Sequence, residues 1–253
     1  MNSTPNATHN AAPDGTQLRP APEPVAPGWH TAVLIIILLG FSYLAASSQR
    51  AATAHRGRIV LYASTIVWEW LLLGFVVFGI RRRGLQIREL IQGRWSSPAE
   101  FMRDLFISAG FWLIAMFVLA GVGYALGLAS ANAAAEAKEK LGFIVPQSRF
   151  ELALFLGLSA TAGFCEEVIF RGYLQRQFTT LAGSEIAGVV LQALIFGAGH
   201  GYEGGARMLL IAVFGVMFGL LAMWRKSLRP GMLAHGLHDG LEGILLRNSH
   251  LFQ

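Results

Sequence analysis

Seven apolar runs recur along this chain, at about residues 31–47, 59–80, 105–130, 150–170, 186–199, 208–224 and 232–246. A helix needs about 20 apolar residues to cross a bilayer, and it satisfies its own backbone hydrogen bonds where lipid offers none. The pattern therefore predicts an all-α, polytopic integral membrane helical bundle of about seven transmembrane helices. With 54% hydrophobic and only 14% charged residues, the composition lies outside ordinary soluble usage. A length of 253 residues leaves no room for a separate soluble domain beside such a bundle.

The shorter runs toward the C-terminus carry polar residues, as expected of helices that line a cavity inside the bundle rather than facing lipid all round. Residues 1–29, rich in Pro, Asn, Thr and Ala without apolar periodicity, read as a disordered tail that lacks the basic start and apolar core of a signal peptide. Residues 30–149 then form N-terminal spans with a basic interfacial loop, residues 150–247 a core rich in unusual polar groups, and residues 248–253 a short tail.

The net charge of +5 does not point to nucleic acid, because the basic residues sit beside hydrophobic runs and form no patch with interleaved aromatics. They read as topology signals. Arg81, Arg82, Arg83, Arg88, Arg94 and Arg103 place their loop in the cytoplasm, and alternating spans bring Arg225, Lys226, Arg229 and the N-terminus to the same side. Arg50, Arg56 and Arg58 then lie outside. Between residues 85 and 106, charges mixed with Leu, Ile, Trp and Phe suit a helix in the interface plane, or a plain linker. Gly123 and Gly127 have the small-xxx-small spacing that brings membrane helices together. The lone Cys165 excludes an intramolecular disulfide and a CxxC zinc site, and in apolar surroundings it reads as a packing residue rather than a nucleophile.

Charge inside an apolar run is costly, roughly 2.5–3.5 kcal/mol for one ionised group at mid-bilayer, so it persists where it pairs or performs chemistry. The run 165–171 holds Glu166, Glu167 and Arg171. On a helix Glu167 and Arg171 are i and i+4 in the favoured acid-first order, whereas Glu166 points about 100° away and lacks that partner. A free carboxylate in such a place has the properties of a general base, and a purely structural tie between helices is the bland alternative. Glu69, between Trp68 and Trp70, is a second intramembrane acid, either a proton site or paired with a base. His200 ends one apolar run after Phe196 and a stretch of small residues; by itself such a histidine is more often a hydrogen-bonded structural group. In the last run His235 and Asp239 are also i and i+4. Two donors one turn apart on one helix have metal-ligand spacing, although Asp239 could equally orient His235, and His238 is a nearby substitute.

Glu166, His200, His235 and Asp239 together supply a base and three metal ligands of the kind zinc takes, leaving a fourth position for water to attack an amide. The motifs Glu-Glu-x-x-x-Arg at Glu166, Glu167 and Arg171, Phe-x-x-x-His at Phe196 and His200, and His-x-x-x-Asp at His235 and Asp239 resemble, in this order, those of the CPBP intramembrane proteases. That family includes the type II CAAX prenyl endopeptidases and bacteriocin-processing or immunity proteins. The resemblance covers about residues 150–246. It implies a helical CAAX-protease-like core with a conical cavity, in which the motif residues Glu166, Glu167, Arg171 and His200 are catalytic and act on a membrane-associated protein or peptide.

Two mechanisms fit the resemblance: a zinc ion on His200, His235 and Asp239, or direct activation of water by Glu166 and His200 with an oxyanion held by the last pair. Aspartate at 239, in place of asparagine, favours zinc, since a carboxylate repels an oxyanion unless protonated. The expected setting is the cell membrane of a bacterium or archaeon. The same buried acids and imidazoles would also serve a proton- or ion-coupled transporter, which inverted repeats would mark and none is visible; a non-catalytic immunity or scaffold member of the family is a third reading.

Overall fold

The computed structural model describes residues 23–52 and 57–249, and they contain helices and no strand. The seven apolar runs are helical over most of their length, the third ending in a turn after Ala125. They fall in α1 (Gly28–Ala52), α2 (Arg58–Arg81), α4 (Pro98–Ala125), α6 (Arg149–Glu166), α8 (Glu185–Gly199), α9 (Gly205–Arg225) and α10 (Arg229–Asn248), joined by the short α3 (Ile87–Ile91), α5 (Ala131–Leu141) and α7 (Gln175–Ala182). Between α6 and α7 the chain continues as a π-helical segment, Glu167–Leu174. Among the described residues, four helical stretches are long and apolar enough to cross a membrane: Arg58–Arg81, Pro98–Ala125, Arg149–Ala182 and Gly205–Arg225. The molecule is thus an integral membrane helical bundle; Gly28–Leu44 and Glu185–Gly199 are shorter apolar helices. The last of the seven, α10, carries too many polar groups to count among the spans.

Most of residues 1–29 lies outside the described part, but the end of that stretch is packed. Val25 and Ala26 are buried, and the Ala26 backbone exchanges hydrogen bonds with the Gln177 amide, N to Oε1 at 3.2 Å and Nε2 to O at 3.0 Å. Residues 25 and 26 are thus packed, because one buried glutamine reads the backbone of an otherwise featureless segment. Likewise only 248 and 249 of the C-terminal tail are described.

The loop after α2 is not one interfacial helix. Its helix ends at Ile91, where Gln92 at φ 55° and Gly93 at φ 70° turn the chain away, and α4 starts afresh behind the Ser97 cap and Pro98. Gly127, at φ 73°, sits in the turn beyond α4, so Gly123 and Gly127 do not share a helix face and the close-packing reading of that pair falls. Helix closeness comes instead from α6 and α10: a Cβ on Gly163 would lie 2.6 Å from the Gly236 nitrogen and 2.9 Å from the Met232 carbonyl. Trading side-chain volume for backbone proximity there brings the polar residues of α10 against the end of α6.

One end of the bundle is tied by a buried acid. Asp104 on α4 accepts from Trp95 Nε1 at 2.9 Å and pairs with Arg225 and Arg229 at 3.4 and 3.7 Å, while Ser108 donates to the Pro230 carbonyl at 2.9 Å. These contacts fix the turn from which α10 starts. On the opposite flank, Tyr173 of the π-helical segment bonds to His30 and Thr31 of α1 at 2.7 and 2.9 Å, which anchors α1 against it.

Candidate active site

Ser148 caps α6 with a reciprocal Glu151 bond, and the helix then runs unbroken to Glu166 before its pitch widens. All eight residues of the π-helical segment are buried, as a segment enclosed by neighbours on every side requires. Such widened turns place side chains that regular α spacing does not, and they recur at functional sites. Here the change of pitch falls between two adjacent glutamates.

Glu167 is engaged through one oxygen, while its Oε2 is buried without a hydrogen-bond partner. Its Oε1 lies 3.0 Å from Arg171 Nη1 and 3.0 Å from His235 Nδ1. Arg171 is held in turn by the Gly215 carbonyl and by the rings of Phe196 and Phe218, at 4.4 and 4.9 Å from the guanidinium carbon. Gly231 leaves room beside Glu167: a Cβ there would stand 3.0 Å from Oε2. Glu166 is differently placed. Its Oε2 is buried without a hydrogen-bond partner, and His235 Nε2 is 3.7 Å away, beyond hydrogen-bond range. Asp239 Oδ2 lies at the same 3.7 Å from that nitrogen. Because the Glu167 carboxylate accepts from Nδ1, the hydrogen of a neutral His235 is on Nδ1 and Nε2 turns a lone pair toward Glu166 and Asp239.

His200 closes α8 beside this group. Its Nδ1 donates to the Phe196 carbonyl at 2.8 Å, which leaves Nε2 as the free nitrogen. The Phe196 ring contacts both imidazoles, with centroids 4.9 Å from His200 and 6.1 Å from His235. Phe196 therefore separates and orients the two histidines while covering Arg171. Beyond α8, Tyr202 lies against His200, and burial holds the Glu203 carboxyl above the usual carboxylate range and the Tyr202 phenol well above its own.

Glu166, Glu167, Arg171, His235 and Asp239 thus meet in one group on α6, the π-helical segment and α10, buried at Glu167, Arg171 and His235 and partly open at Glu166 and Asp239, with His200 at its edge. His238 does not join it and packs against Phe214 at 4.8 Å. Cys165 is fully buried in the apolar core, and Phe214 and Phe218 are buried packing residues. Two further residues stand beside this group, one of them noted in the sequence as an intramembrane acid of open role. Glu69 of α2 is buried, and its charge interacts with those of Glu166, His235 and Asp239. Gly231, one residue before the apolar run that carries His235, gave no signal except its small size.

The residues present supply zinc-ligand types, since two imidazoles with anchored Nδ1 and free Nε2 stand beside carboxylates. Among the described residues, however, no three such groups are gathered closely enough to form a ready-made metal cage.

Fold and site define a helical integral membrane protein with a buried glutamate–imidazole centre. Residues 148–241, which hold all three motifs, match the family described as Type II CAAX prenyl endopeptidase Rce1-like. That is a family of proteases acting at membranes. No curated protein and no solved structure matches the chain.

Proposed function

We propose that the chain is an intramembrane endopeptidase that hydrolyses a peptide bond of a membrane-associated protein or peptide, with Glu166 as the general base. The observation that carries this reading is the unequal state of two adjacent carboxylates: Glu167 is locked by Arg171 and His235 through one oxygen, while Glu166 is partly exposed and its Oε2, 3.7 Å from His235 Nε2, has no hydrogen-bond partner. A carboxylate left without a hydrogen bond inside an apolar bundle is retained against its cost where it handles a proton.

In this mechanism a water molecule enters beside Glu166, which removes its proton as the oxygen attacks the amide carbonyl. The same carboxyl group then returns that proton to the leaving nitrogen as the C–N bond breaks. His200, with Nδ1 bonded to its own helix, presents Nε2 to orient the water. Glu167 and Arg171 hold His235 in place and do not exchange protons with substrate. A zinc ion, when bound, would be held by His200, His235 and Asp239 and would acidify water and polarise the carbonyl.

Incubation of the purified, detergent-solubilised protein with a library of membrane peptides, with products read by mass spectrometry, tests the proposal. New peptide termini should form with the wild type and not with folded Glu166→Ala or His200→Ala variants. Equal cleavage by Glu166→Ala would overturn the mechanism, and a folded wild type that cleaves nothing in a library of broad composition would overturn the function.

A further inference from the structure

Glu69 is absorbed by none of the three motifs. It lies on α2 between two tryptophans that face different neighbours: Trp68 stacks on Phe41 of α1 at 4.5 Å, and Trp70 meets Phe164 of α6 at 5.8 Å. Phe164 stands two residues before Glu166, and Ser42, next to Phe41, donates to the Ala198 carbonyl two residues before His200. Helices α1, α2, α6 and α8 therefore meet at the level of the candidate site, and Glu69 points inward there. It is 8% exposed, and its Oε2 has no hydrogen-bond partner.

The surroundings of Glu69 are rich in acids, so a cation brought beside it would relieve their mutual repulsion. Glu69 interacts electrostatically with Glu166 and Asp239, which repel it, and with His235, which attracts it. Glu203 and Glu242 add further acid around Asp239, against Arg207 and the imidazoles. Among the described residues no arginine or lysine bonds to Glu69, so a cationic side chain brought by a ligand would meet a carboxyl group with an unpaired oxygen. An incoming ammonium or guanidinium would find in Glu69 a carboxylate acceptor outside the Glu167–Arg171–His235 cluster.

We propose that Glu69 is a specificity residue of the same chamber, receiving the lysine or arginine side chain of a membrane-associated peptide that lies across the site. The inference rests on the peptidase reading for its substrate, but binding alone tests it. An apolar host peptide long enough to span a bilayer, randomised at its central positions, is captured on immobilised wild-type protein in detergent, and the retained sequences are compared with the input. Lysine and arginine should be enriched about tenfold over norleucine in the retained fraction. Glu69→Gln should abolish the enrichment while Glu69→Asp keeps part of it, with folding of each variant followed by helical circular dichroism and gel filtration. Should Glu69→Gln fail to fold, Glu69→Ala takes its place. No enrichment on wild type, or enrichment that survives removal of the Glu69 carboxylate, overturns the proposal. Because no turnover is read, loss of cleavage in the library experiment above would leave this result standing, and the two failures remain distinct.

Discussion

His235 Nδ1 lies 3.0 Å from Glu167 Oε1, and that same oxygen takes the Arg171 guanidinium at 3.0 Å. One carboxylate oxygen thus joins the start of the π-helical segment to the middle of α10 and neutralises a fully buried arginine. The position of the imidazole depends on a charge pair that does not itself face substrate.

Removal of one member of this pair should be far worse than removal of both. Arg171→Met leaves the Glu167 charge buried and should cost about 3–5 kcal/mol, whereas the double variant Arg171→Met with Glu167→Gln should recover much of that loss. Thermal unfolding of the four proteins in one detergent, treated as a double-mutant cycle, measures the coupling. A purely additive result would contradict the shared-oxygen geometry.

Glu166 should behave in the opposite way. Its Oε2 has no hydrogen bond to lose, so Glu166→Gln should unfold at the wild-type temperature or above it. Peptidase activity should fall by about 10²–10⁴-fold, the usual contribution of a positioned base. Activity and melting curves measured on one preparation separate the two effects, and a large drop in stability would assign Glu166 to the structure instead.

How far the sequence foretold these relations depended on the length scale involved. Glu167 with Arg171 and His235 with Asp239 are one-turn neighbours, and helical spacing alone announces such pairs. The meeting of Glu167 with His235 spans 68 positions and depends on Gly163 and Gly236 letting α6 and α10 approach, which no periodicity reveals. The pitch change at Glu167 was equally hidden, because the sequence there remains a good apolar helix. Glu69 was visible as an oddity, yet its place beside the site follows from the packing of Trp68 and Trp70 on two other helices. Loop punctuation misled where glycine was read as packing: Gly127 serves its positive φ and not a helix contact.

The Gly163 contact makes a test of geometry without touching any polar group. A leucine at 163 must push α10 away from α6, because the nearest atoms are backbone and cannot rotate aside. Overpacking of this kind costs about 1–3 kcal/mol. The His235–Glu167 bond should lengthen with it, so activity should fall by more than the stability loss explains, and Gly163→Ala should fall between the two. Unaltered turnover in Gly163→Leu would show that the α6–α10 spacing does not govern the site.

Asp104 sits at the other end of α10. Asp104→Ala strips Trp95 Nε1 of its acceptor and leaves Arg225 and Arg229 without their counter-charge, for an expected loss of about 1–3 kcal/mol. Because the turn at Ser227 opens α10, hydrogen exchange should quicken first at the α10 N-terminus and leave α6 protected. Uniform exchange across the bundle would argue against a local clamp.

Zinc binding, as proposed for His200, His235 and Asp239, should follow the state of the two imidazoles. His235 is held by Glu167 and presents Nε2 to Asp239 at 3.7 Å, while His200 is tied only to the carbonyl of its own helix, so the donors are not pre-gathered. The site should therefore release zinc readily to a chelator. Metal content measured by mass spectrometry on wild type, His200→Ala, His235→Ala and Asp239→Asn should fall in each variant, most in His235→Ala. Dialysis against chelator should remove activity, and added zinc should restore it. Full activity of a protein shown to be metal-free would rule out the metal and leave Glu166 and His200 to activate water directly.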